Sequence, residues 1–167
     1  MRCASNAHIG VFLYGEQGSS SQMMLRCVRF VDLDPGTLYA VLRLRVDVFV
    51  VEQNCPYPEL DGRDLEPDAW HCWIDEGGEV IAYLRLLRDG PGWSRIGRVV
   101  TAPGARERGK ATALLRHALE LAGTPVVIHA QARLREWYAQ FGFQPVGQEF
   151  MEDGMPHVRM VWGAPNE

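Results

Sequence analysis

The sequence predicts an α/β (α+β) layered fold with a mixed, mostly antiparallel sheet flanked by helices. Three observations carry this. Apolar residues recur at helical spacing in three places, two segment pairs read as tight hairpins, and one strand–turn–helix–strand unit runs from Trp93 to Ile128. Strands joined by tight turns pair antiparallel, whereas a strand–helix–strand unit gives a local parallel pair. At 167 residues, 47% hydrophobic and 23% charged, the chain suits one domain with a sizeable core.

The elements follow in order. Residues 1–22 read as a loosely ordered extension whose only apolar patch is VFLY, a poor signal peptide, and a single domain then occupies 23–167. Leu25 to Val31 is β-branched enough for a first strand. Asp34-Pro35 offers a helix cap followed by Pro at the first helical position, and Leu38, Val41, Leu42, Arg45 and Phe49 continue at helical spacing to about Val50. Residues 51–70 hold Pro, Gly, Asp and Asn and read as a long loop or a broken second helix. Glu76-Gly77-Gly78-Glu79 joins Trp70–Asp75 to Val80–Leu87 as a hairpin, and Trp93–Thr101 adds a strand. Ala111, Leu114, Leu115, Ala118 and Ala122 mark a second helix. Val126-Val127-Ile128 reads as a strand buried on both faces. Leu134, Trp137, Tyr138 and Phe141 mark a third helix, stopped by Gly142. Pro145–Met151 and His157–Trp162 close the chain as a last hairpin.

Composition narrows the function classes. A net charge of −4 argues against a general nucleic-acid binder, and no apolar stretch approaches the length of a membrane span. Cys3, Cys27, Cys55 and Cys72 fit no metal-ligand spacing, so the expectation is four reduced thiols in a cytoplasmic protein that needs no metal.

One stretch stands apart. The chain has sixteen arginines and a single lysine, yet Arg106, Arg108 and Lys110 crowd around Gly109 at the start of the second helix. A helix N-terminus presents unpaired N–H groups and the positive end of the helix dipole. Glycine permits close approach, and Arg and Lys add charge-assisted bonds, so this turn is built to receive phosphate. The competing reading is a set of solvated charges before a surface helix.

Arg106-x-x-Gly109-x-Ala111, following Val99-Val100-Thr101-Ala102-Pro103, resembles the acyl-CoA-binding motif of the GNAT superfamily of N-acetyltransferases. Gln131 with Leu134, Trp137, Tyr138 and Gly142-Phe143 resembles the second motif of that superfamily. Arg45-x-x-Val48-Phe49-Val50-Val51-Glu52-Gln53-Asn54-Cys55-Pro56-Tyr57, with Glu59, Asp61 and Asp64, is similar to the ElaA-type branch, as is Asp153-Gly154-Met155-Pro156-His157. The resemblance spans about Leu25 to Trp162. It implies the GNAT acyl-CoA N-acyltransferase fold, acetyl-CoA as cosubstrate, and direct attack of a primary amine of a small molecule or peptide on the thioester. It also implies that Val99, Val100 and Thr101 bond the pantetheine arm, and that Glu107, Arg108, Gly109, Lys110, Ala111 and Thr112 hold the pyrophosphate beside Arg106. Gln131 would contact the carrier where many members have Asn. Tyr138 matches the tyrosine that protonates the departing thiolate; by spacing alone it is one more residue of the Leu134/Trp137/Phe141 stripe.

The acceptor side is less determined. Six acids, Glu52, Glu59, Asp61, Asp64, Glu66 and Asp68, stand against Arg63 alone, as a negative rim for a cationic amine or as a solvated loop. Glu52 and His71 are the candidates for the general base, with His129 and His157 as rivals. Arg45 and Phe49 also resemble the acyl-homoserine-lactone synthases, which share the fold, so transfer of a longer acyl chain is the runner-up. A non-catalytic acyl-CoA sensor is the alternative from another class. An exposed strand or the terminal hairpin offers a homodimer its contact.

Overall fold

The computed structural model describes residues 10–14, 23–123 and 125–163. Its strands are β1 (Gly10–Tyr14), β2 (Met23–Arg29), β3 (Trp70–Glu76), β4 (Glu79–Arg88), β5 (Ser94–Thr101), β6 (Val126–Gln131), β7 (Gln144–Pro145), β8 (Phe150–Glu152) and β9 (Met155–Trp162). They form one sheet in the order β1-β2-β3-β4-β5-β6-β9-β7, with β8 also paired to β9. Among the described strands, only β5 and β6 run parallel; the other pairs are antiparallel. The strand–helix–strand unit read from Trp93 onward supplies that parallel pair, as the crossover requires.

The sheet is covered on both faces because its strands alternate two apolar sets. Ala82, Leu84 and Leu86 of β4 and Val126, Ile128 and Ala130 of β6 pack with helix α2 (Lys110–Ala122) and with Tyr138 of the short helix α3 (Arg135–Ala139). Trp73, Tyr83 and Val100 point the other way, onto Val41, Leu44 and Val48 from helix α1 (Pro35–Arg45) and the turn after it. Asp34 caps α1 by accepting from the Thr37 amide at 2.9 Å, with Pro35 following it. Leu114, Leu115, Ala118, Leu119 and Ala122 form the buried stripe of α2.

Four expectations are corrected. Gly10–Tyr14, inside the expected loose extension, is paired along its length with β2; residues 1–9 and 15–22 lie outside the described residues. Val31 falls in a 3-10 turn, Phe30–Asp32, rather than in the first strand. Helix α1 ends at Arg45 and continues as a π-helical turn, Val46–Glu52, which shifts the side chains after Arg45 relative to regular helical spacing. Finally, Cys27 and Cys72 sit directly opposite on β2 and β3, both buried, and form a disulfide rather than two thiols. A sequence separation of 45 hides this pair; only the strand register reveals it. Cys55 is a free buried thiol whose Sγ donates to the Asp153 carbonyl at 3.2 Å.

Candidate active site

β5 and β6 are hydrogen-bonded neighbours only at their starts, Ser94 against Val126 and Arg95 against Val127. Beyond these residues they diverge and leave a cleft of about 990 Å³. The divergence has a local cause. Arg85 pairs with Gly97 and Tyr83 with Val100, so Arg98 and Val99 together oppose Leu84, a bulge in which Arg98 takes a left-handed conformation (φ 56°). From Ile96 to Thr101 the edge of β5 that faces β6 therefore has no strand partner. An extended ligand can use those backbone groups as an added strand would.

At the end of this edge the chain turns through Pro103–Ala105 into the basic loop. Glu107 (φ 60°) and Gly109 (φ 69°) are both left-handed, and Gly109 is the N-cap of α2 with no side chain closing the helix end. A Cβ at Gly109 would meet no atom within 4 Å, so glycine is required here by conformation and not by crowding. The first-turn N–H groups are thus left for an anion. Val99, Val100, Thr101, Arg106, Glu107, Gly109, Lys110, Ala111, Thr112 and Gln131 all line the cleft. Arg108 does not; its guanidinium is turned to Glu76 at 2.8 and 3.1 Å. Gln131 donates to Gln53 at 3.1 Å and accepts from Arg133 at 3.0 Å.

Tyr138 stands on the α2/α3 side of the cleft, 5% exposed, edge-on to Trp137 and Phe143. Burial pushes its phenol far above the ordinary tyrosine value, so it holds its proton at neutral pH. The core role and the acid role read from the sequence are compatible in this position, because the ring is packed while the residue still borders the cleft.

Neither expected base is free to act. His71 is fully buried and lies outside the cleft. Its Nε2 donates to the Asp64 carbonyl (3.0 Å), leaving Nδ1 to accept from the Tyr83 hydroxyl (2.8 Å), and burial lowers its pKa. Glu52 does line the cleft, but both its oxygens accept from Arg106 at 2.8 Å, which holds the carboxyl below its usual pKa. His157 is placed better. It neighbours Gln131 across β6 and β9 on the face opposite Tyr138, and it lines the cleft. Its Nδ1 donates to the Met155 carbonyl at 3.0 Å, so in the neutral ring Nε2 is the nitrogen that carries the lone pair. His129 shares that face, with Nδ1 3.4 Å from Glu152; burial lowers its pKa against the pull of that carboxylate.

The centre of the acid-rich loop is not a solvated rim: Glu59 and Asp64 are buried and paired, while Glu52 and Asp68 at its ends stay exposed. Arg45, fully buried, donates to Glu59 at 2.8 and 2.9 Å and to Asp64 at 2.6 Å. Arg85 joins Asp64 (2.9 Å) to Asp61 (2.6 and 2.8 Å), and Arg98 reaches Asp61 and the Glu59 carbonyl. Burial works against ionising Asp61 and Asp64, but their arginines outweigh it and both pKa values fall. The sequence carried a signal for this: Arg45 lies within an apolar helical stripe and Arg85 within the apolar strand IAYLRLL. Each cation needed a buried partner.

With this geometry established, comparison with known proteins gives a consistent answer. Residues 46–164 match the family model described as acetyltransferase (GNAT) domain. The chain is 50% identical over 142 residues to the UPF0039 protein Rv2851c of Mycobacterium tuberculosis, covering 82% of this chain and 91% of that one. It is 40% identical over 137 residues to protein ElaA of Escherichia coli, covering 78% and 90%. A crystal structure of an acyl-CoA N-acyltransferase from Pseudomonas aeruginosa superimposes with a TM-score of 0.80 at 41% identity, over 84% of this chain and 99% of that one.

Proposed function

This chain belongs to the GNAT acetyltransferase family, in its ElaA-like branch, and we propose that it moves an acetyl group from acetyl-CoA to a primary amine of a small molecule or peptide. The observation that carries the reading is the splayed β5–β6 slot, which runs from an uncapped helix start to a buried tyrosine on one side and a histidine on the other. The pyrophosphate rests on the backbone from Glu107 to Thr112, and the pantetheine arm lies along Val99–Thr101. The amine comes from the α1 side of the sheet, where His157 takes its proton on Nε2 as the nitrogen attacks the thioester carbon. When the tetrahedral adduct collapses, the C–S bond breaks and the Tyr138 hydroxyl protonates the departing thiolate. The products are the N-acetyl amine and free CoA thiol, with no covalent enzyme intermediate. The reaction is one of the cytoplasm, carried out by a single domain whose sheet includes β1. Among the described residues no helix is long and apolar enough to cross a membrane.

Thiol release from acetyl-CoA, followed against a panel of primary amines, tests the reading. Turnover with at least one amine, slowed in Tyr138→Phe, is expected. Tight carrier binding without turnover on any amine would favour the non-catalytic sensor instead. The same assay with a longer acyl-CoA tests the lactone-synthase-like alternative.

A further inference from the structure

Two cations flank the phosphate loop, and each is held by an internal carboxylate in the geometry an anionic ligand would adopt. Arg108 is forked onto Glu76, away from the cleft. Arg106 is forked onto Glu52, within it: Nη1 and Nη2 each donate to one carboxylate oxygen at 2.8 Å, while Nε donates to the Thr101 carbonyl at 3.3 Å. The Glu52 pair spans the cleft. Glu52 ends the π-helical turn after α1, whereas Arg106 lies three residues before the cap of α2. Gln53, the next residue, makes a parallel crossing to Gln131 on β6.

A parallel fork from guanidinium to two oxygens serves carboxylate and phosphate alike. With Nη1 and Nη2 directed at Glu52 and Nε at Thr101, Arg106 cannot offer a fork to a phosphate while both contacts persist. Both side chains are about two-fifths exposed, so water screens the pair and holds it weakly. A pyrophosphate bonded at the same time by the α2 N–H groups carries more charge and more contacts than a lone carboxylate.

We infer that Glu52 is a placeholder for the carrier's phosphate: it holds Arg106 until the pyrophosphate takes its place, so that carrier binding and release of Glu52 are one event. Glu52 thereby sets carrier affinity by competition. Its release frees a carboxylate on the α1 side of the slot, the side from which the proposed function brings the acceptor amine. The inference rests on that reading of the phosphate loop.

Calorimetric titration with CoA of the wild type, Glu52→Gln, Arg106→Ala and the double variant separates the possibilities. Removing the competing charge is expected to tighten CoA binding about two- to fivefold in Glu52→Gln. Arg106→Ala is expected to weaken it, and Glu52→Gln added to Arg106→Ala to change nothing further. Unchanged or weaker binding in Glu52→Gln would overturn the inference, since the pair would then be a strut. Equal tightening in the Arg106→Ala background would also overturn it, because the effect would be a general field. A wild type that fails to bind CoA at all would overturn the carrier reading and this inference together, an outcome distinct from binding at unaltered affinity.

Discussion

The Arg45 guanidinium meets the Asp64 carboxylate at 2.6 Å with the arginine side chain wholly removed from water. Asp64 also accepts from Arg85, so one acid serves two buried cations. Deleting a single member of such a group leaves charge uncompensated in the interior. Asp64→Ala is expected to lose about 3–5 kcal/mol of stability, measured by urea unfolding at neutral pH. A loss under 1 kcal/mol would mean that water reaches the arginines and the network is not buried in solution.

Stability is expected to depend on pH through His71. Its pKa is depressed in the folded protein by burial, so the unfolded chain binds the proton more readily. The stability it contributes is complete above the unfolded value of about 6.5 and is lost as the pH falls toward the folded value. Asp61 and Asp64, also depressed, add a second loss below the ordinary carboxylate range, near pH 4. His71→Phe is expected to be less stable than the wild type at pH 8, with the gap narrowing at pH 5. Urea midpoints at the two pH values check this, and a constant gap contradicts it.

Tyr138→Phe removes one hydroxyl and keeps a ring packed against Trp137 and Phe143. If the hydroxyl protonates the thiolate, kcat is expected to fall about a hundredfold while the Kd for CoA stays unchanged. A parallel loss of binding and turnover would assign Tyr138 to packing.

Gly109→Ala is expected to cost about 1 kcal/mol, because a Cβ is strained at φ 69° although space is available. CoA binding should weaken as the loop shifts to relieve that strain. Thermal unfolding and calorimetry on the same variant give both numbers.

The disulfide is checked by peptide mapping. Without reductant, a digest is expected to contain the Cys27 peptide linked to the Cys72 peptide, while Cys55 alkylates after unfolding. Full alkylation of Cys27 and Cys72 without reductant would restore the expectation of reduced thiols.

What the sequence made legible was largely periodic or local. The N-terminal cap of α1, the apolar stripe of α2 and the strand segments from Trp70 to Thr101 follow from residues a few positions apart, and the structure has the strands with shifts of a residue or two at their ends. The basic loop was legible because its glycine, cations and helix start are adjacent. What stayed hidden depended on distant partners. Cys27 meets Cys72 only through strand register, Glu59, Asp61 and Asp64 meet Arg45, Arg85 and Arg98 only once the loop folds inward, and Glu52 meets Arg106 across 54 positions. His71 was the attractive base because a free imidazole titrates near neutrality, and the tertiary fold closed both its nitrogens.

The central claim is that the β5–β6 slot and the loop from Arg106 to Thr112 bind the CoA scaffold. Calorimetric titration with acetyl-CoA, with desulfo-CoA and ATP as comparisons, tests it most directly. The account predicts saturable binding of acetyl-CoA and desulfo-CoA, both clearly tighter than ATP, because the pantetheine arm contributes contacts that ATP lacks. No binding of acetyl-CoA, or binding no tighter than ATP, would contradict it and reduce the loop to a charged turn.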